Sequence, residues 1–201
     1  MNTIKAGMLA LAACAGAACN GYSTGPASPS YSASGLPELS VAAGHAGGPR
    51  SGFGFNGTVS GFPTGAVLLS GGGSFDAATA SNVVPSETDA KAGGGFRCPA
   101  AVAQGPLAGC ATGAGVRWDT AQLLASTTFK CTGADAAKRI ATGAGTVVLR
   151  ADFYRAGDGI DESFTAQMIV SDTDIAPDIP GDQTLWVQGV GCGDAVAHFN
   201  R

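Results

Sequence analysis

The sequence holds 201 residues, of which 32 are glycine and 13% are charged, with a formal net charge of −4. So little charge beside so much glycine excludes a protein of solvated amphipathic helices and suits short strands joined by tight turns. The 11 lysines and arginines are scattered along the chain, which excludes the clustered basic surface that a nucleic-acid partner needs.

Residues 1–19 read as an export signal. Met1-Asn-Thr-Ile-Lys5 is a short positive start, and Ala6-Gly-Met-Leu-Ala-Leu-Ala-Ala13 is an apolar stretch too short to span a bilayer. Leu11-Ala-Ala-Cys14 and Gly16-Ala-Ala-Cys19 both resemble the bacterial lipobox, whose cysteine receives a diacylglyceryl group and becomes the new first residue. The first is the better local match, but cleavage there would leave Cys19 as an odd exported thiol. Cleavage before Cys19 leaves Cys98, Cys110, Cys131 and Cys192 free to pair. Lipidation is therefore expected at Cys19, with Cys14 as the alternative. The plainer reading is an ordinary secretory signal. Either way the chain leaves the cytoplasm, for the cell envelope on a lipid anchor or as a secreted or periplasmic protein.

Residues 20–50 are Ser, Gly, Ala and Pro without a sustained apolar period. Such a segment cannot bury enough surface to offset its ordering entropy and reads as a disordered tether, with His45 a solvated residue within it.

The folded domain is expected over 51–201. Phe53, Phe55 and Val59 alternate with small residues as a glycine-weakened first strand, Gly61-Phe-Pro-Thr-Gly65 is a turn, and Ala66-Val-Leu-Leu-Ser70 is a buried strand ended by Gly71-Gly-Gly73. Residues 74–91 read mostly as loop, Gly93-Gly-Gly-Phe-Arg-Cys98 as a short strand, and 99–115 as a turn-rich connector. Asp119-Thr-Ala-Gln122 has capping-box spacing before Leu123-Leu124, which predicts one or two helical turns. Residues 126–132 predict a strand, and the Ala-rich stretch after Asp135 a turn of helix.

Residues 145–171 are the organising element. In the first run Val147, Leu149, Ala151 and Phe153 share a face; in the second, Phe164, Ala166, Met168 and Val170 do. A hairpin that sets Phe153 against Phe164 also sets Ala151 against Ala166, Leu149 against Met168 and Val147 against Val170. One register thus aligns every apolar partner, and a slip of one residue would put the whole set in water. A lone hairpin is marginal, so a second layer must cover it. Beyond it, the acidic, Pro-rich stretch 172–181 is a crossover, 185–192 a strand, and 195–199 a last strand beside that one.

Four cysteines in an exported domain imply two disulfides, and of the three connectivities we favour Cys98 with Cys110, closing a Gly/Pro loop, and Cys131 with Cys192, joining distant strands. A zinc site lacks its Cys-x-x-Cys signature. For catalysis, His198 is the one histidine of the folded part, and no Gly-x-Ser-x-Gly elbow lies within 51–201 beside it. Asp158, Asp161 and Glu162 crowd the hairpin turn, and Asp172, Asp174, Asp178 and Asp182 populate the crossover. Carboxylates from two such loops are weak calcium candidates, while turn chemistry accounts for the same residues more simply.

The phrases Gly-Gly-Phe-Arg-Cys98, Gly-Pro-Leu-Ala-Gly-Cys110, Gly-Val-Arg-Trp-Asp-Thr120, Phe-Lys-Cys-Thr-Gly133, Ala-Asp-Phe-Tyr-Arg-Ala-Gly-Asp-Gly159 and Gln-Gly-Val-Gly-Cys-Gly193 resemble a family of uncharacterised exported bacterial proteins. The resemblance spans about 93–200, implies an export context, and brings no activity, ligand or catalytic residue.

The expectation is an all-β antiparallel sandwich of two sheets and about eight short strands, with at most one short helix and a closed β-barrel as the alternative. Its expected role is non-catalytic binding of a protein or carbohydrate partner, with no cofactor. An exported hydrolase using His198 or the acidic loops, and a calcium-dependent adhesion or carbohydrate-binding module, are the alternatives.

Overall fold

The structure is a computed structural model that describes residues 50–61, 65–83, 90–155 and 164–200. Among them, eleven strands and one 3₁₀ turn, Ala77–Thr79, form an all-β domain. The strands are β1 (Ser51–Gly61), β2 (Ala66–Phe75), β3 (Ala90–Ala100), β4 (Arg117–Leu123), β5 (Ser126–Phe129) and β6 (Lys138–Ala141). They continue as β7 (Thr146–Tyr154), β8 (Phe164–Ser171), β9 (Leu185–Val187), β10 (Gly191–Gly193) and β11 (Ala195–Asn200). Nine of them make one antiparallel sheet in the order β10-β9-β8-β7-β4-β3-β2-β1-β11, and β5 and β6 pair separately.

The large sheet curls until its ends meet. β10 touches β1 through two residue pairs, Ser60↔Cys192 and Gly61↔Gly191, while β11 takes the rest of that edge from Gly52↔Asn200 to Gly57↔Ala195. So short a seam makes a ring rather than a barrel, and the second sheet is a two-stranded flap instead of an equal layer.

The central hairpin has the expected register. Phe153 pairs with Phe164, Ala151 with Ala166, Leu149 with Met168 and Val147 with Val170. All eight side chains are buried in the main core, which receives residues from β1, β2, β3, β4, β7, β8, β9 and β11. The opposite face of the same hairpin is partly buried too. Val148 and Ile169 join Leu124, Phe129, Cys131, Ile175, Trp186 and Cys192 in a second core. The β5–β6 flap and the 172–184 crossover cover that face; Phe129 lies 6.0 Å from Trp186 between ring centroids. The flap is tied to β7 at its root, where the Leu124 amide donates to the Val148 carbonyl at 2.8 Å and the Val148 amide to the Thr142 hydroxyl at 3.1 Å.

Several local expectations are corrected. Gly71-Gly-Gly73 does not end β2, which runs on to Phe75, and β3 begins at Ala90, well before Gly93. Glycine is required there because the backbones approach closely: a Cβ on Gly72 would meet the Phe53 carbonyl oxygen, and one on Gly94 the Ser70 carbonyl oxygen. Aromatic rings cover the bare positions, since Phe53 pairs with Gly73, Phe55 with Gly71 and Trp118 with Gly94. Phe55 and Trp118 meet inside at 5.9 Å, and the Trp118 indole N–H donates to the Ser70 carbonyl at 3.1 Å.

Residues 119–124, expected to start a helix, lie mostly in strand β4. A register shift between Thr120 and Gln122 lets both Trp118 and Leu123 face the main core although they lie five positions apart, and this breaks the period-two pattern. After Asp135 the chain forms β6 rather than a helical turn. The expected 185–192 strand is two strands, β9 and β10, folded at Gly189, whose φ of 79° suits the tight turn. β11 pairs with β1 instead of with that hairpin.

Candidate functional site

Both expected disulfides are present. Cys98–Cys110 (Cα–Cα 6.3 Å) closes the connector after β3, and Cys131–Cys192 (Cα–Cα 5.2 Å) ties the end of the flap to β10 at the seam of the ring. The first is sealed: both cysteines have no solvent exposure and sit in the main core with Val102 and Leu107. Around it the Cys98 amide donates to the Ala114 carbonyl at 2.8 Å, and the Val102 amide to that of Cys110 at 2.9 Å.

The second disulfide lines a groove of ≈ 260 Å³ together with Ser60 from β1, Thr132 and Gly133 from the turn between β5 and β6, and Asp178, Ile179, Pro180 and Gln183 from the crossover. The crossover is closed by the Ile175 amide donating to the Gln183 carbonyl at 2.8 Å and by one carboxylate. Asp174 Oδ1 accepts from the amides of Ala176 at 2.8 Å and Gln183 at 3.2 Å, while Ile175 and Ala176 anchor it in the second core. Asp178 forms an ion pair with Lys138 on β6, which links the crossover to the flap. The groove therefore offers two hydroxyls, an amide and a disulfide to a small polar molecule, with an apolar contact from Ile179.

A shallower groove of ≈ 170 Å³ lies on the outer face of β2 and β3, lined by Leu68, Ser70, Gly95, Phe96, Arg97 and Val116. Leu68 and Val116 are exposed there. Beside it Arg117 stacks 4.4 Å from the Tyr154 ring centroid and pairs with Asp119 at 3.3 Å.

The catalytic and metal candidates do not converge among the described residues. His198 is exposed on β11 opposite Gly54, and the next partners along that row, Gly72 and Gly93, are glycine as well. Among the described residues no serine or carboxylate is hydrogen-bonded to it. Asp174 serves its own turn and Asp178 its lysine, and no three His, Cys, Asp or Glu side chains among the described residues form a metal-sized cluster. Asp158, Asp161 and Glu162 lie outside the described residues, as do Cys14, Cys19, His45 and the rest of 1–49.

Compared with protein-family models, with curated proteins and with solved structures, the chain finds no match in any of the three. The site rests on its own geometry. Sequence reading located its two cysteines and Asp178 but not Ser60, Thr132 or Gln183. The signal for these was spatial: Gly61 at the seam lacks a side chain where the Thr132 hydroxyl sits, and nothing in the linear pattern links positions so far apart.

Proposed function

We propose that this chain is an exported, non-catalytic binding module, lipid-anchored at Cys19 and presenting its β domain to a protein or carbohydrate partner. One observation carries the reading: all four cysteines of the domain are paired as disulfides, which fits an oxidising, extracytoplasmic location. The resemblance of 93–200 to exported bacterial proteins agrees with that setting. The outer face of β2 and β3 is the surface we assign to the partner, because Leu68 and Val116 are exposed side by side with Arg97 and Arg117 at its rim. We also read the curled sheet as two facing layers of a sandwich; support comes from Phe96 of β3, whose ring lies 6.4 Å from that of Phe164 on the non-adjacent β8.

Expression in a bacterium fed radiolabelled palmitate tests the reading. The label should enter an envelope-bound protein, and Cys19→Ser should lose the label and release the chain. Label lost only in Cys14→Ser moves the anchor to that residue. A cytosolic protein with four reduced thiols ends the proposal. For the surface, Leu68→Glu combined with Val116→Glu should abolish cross-linking of the anchored protein to its partner while leaving the label, the envelope location and the melting temperature unchanged.

A further inference from the structure

The two disulfides differ in what can reach them. Cys98 and Cys110 are enclosed on all sides, whereas the Cys131–Cys192 pair forms part of the wall of an open groove. Within that pair exposure is unequal: Cys192 is 7% exposed and Cys131 1%. Thiol–disulfide exchange needs a thiolate to approach one sulfur with the other as leaving group, so access decides both which bond breaks and which sulfur is attacked.

We propose that Cys192 is a thiolation site for small thiols. A cysteine-sized thiolate enters the groove past Ser60 and Thr132 and bonds to the sulfur of Cys192. The Cys131–Cys192 bond breaks, and its electron pair leaves on Cys131 as a thiolate that takes a proton from water. The product is a mixed disulfide on Cys192 and a free thiol on Cys131, with no net change of oxidation state. A second thiolate attacking the small molecule's sulfur in the mixed disulfide releases the oxidised small molecule and leaves both cysteines as thiols.

The consequence is local. β10 meets β1 through two residue pairs, so the disulfide is the covalent tie between the seam and the end of the flap. Opening it loosens the second core, while the main core keeps its own sealed disulfide and its packing.

The oxidised protein would be incubated under native conditions with free cysteine, quenched at intervals with N-ethylmaleimide and mapped by peptide mass spectrometry. We expect a cysteinyl adduct on Cys192 with maleimide on Cys131, appearing at least about tenfold faster than any opening of Cys98–Cys110. Thr132→Phe, or Ser60→Tyr on the strand beside Cys192, should slow the adduct by a similar factor and leave Cys98–Cys110 unchanged; circular dichroism confirms that each variant is folded. Opening of both disulfides at one rate, an adduct on Cys131, earlier opening of Cys98–Cys110, or folded groove variants that react as fast as the parent would each overturn the proposal.

Discussion

Phe153 and Phe164 stand opposite one another in β7 and β8, and the ring of Phe96 on β3 meets both edge-on, at 5.1 Å and 6.4 Å between centroids. This trio joins the central hairpin to β3 across the intervening β4. Phe153→Ala should therefore cost about 3–5 kcal/mol of unfolding free energy. Urea denaturation of the oxidised protein, read by the shift in midpoint at unchanged slope, checks it.

The strand glycines separate into required and replaceable positions. Gly94→Ala drives a methyl group into the Ser70 carbonyl and should destabilise by about 2–4 kcal/mol or prevent folding. Gly143→Ala has open space around it and no left-handed φ, so its melting temperature should match that of the parent within about 0.5 kcal/mol equivalent.

In the chain-entropy model the longer loop contributes more. Replacing Cys131 and Cys192 together by serine removes a link across 61 positions and should cost about 4 kcal/mol, against about 3 kcal/mol for Cys98 and Cys110 at a separation of 12. Paired denaturation curves of the two double variants give the order.

The Lys138–Asp178 ion pair is about one-third exposed at each end, so solvent screens it. Asp178→Asn should change stability by less than about 1 kcal/mol, and the difference should shrink further in high salt.

Trp118→Phe removes the indole donor to Ser70 while keeping an aromatic ring over Gly94. A loss of about 1–3 kcal/mol is expected, because the carbonyl loses a partner and the smaller ring leaves a void. Thermal unfolding measures it.

The hairpin was legible because one buried face on each of two strands gives clean alternation, and a single register satisfies both. Less was legible wherever one residue answered to two demands. Val148 and Ile169 look like breaks in the alternation, yet they are buried by a flap that no local pattern announces. Gly71 to Gly73 look like terminators because glycine at a strand end and glycine forced by a close neighbour are the same letter. The shift at Thr120 hid β4 by changing the phase between Trp118 and Leu123. No linear pattern marks β1 as the partner of β11, because the pairing depends on Gly57, whose missing side chain makes room for Ala195. The candidate groove was legible only as a cysteine pair, since its remaining walls come from three separate parts of the chain.

Gly52 lies directly across from Asn200 in the β1–β11 pair, so the domain begins and finishes at the same corner. A short peptide bridging that corner would make the domain circular in effect, and a new opening at the exposed Thr112-Gly113 turn would yield a permuted chain with every strand pairing retained. An anchor on one side of that corner and a fused cargo on the other would emerge together, leaving the opposite end of the domain clear of both.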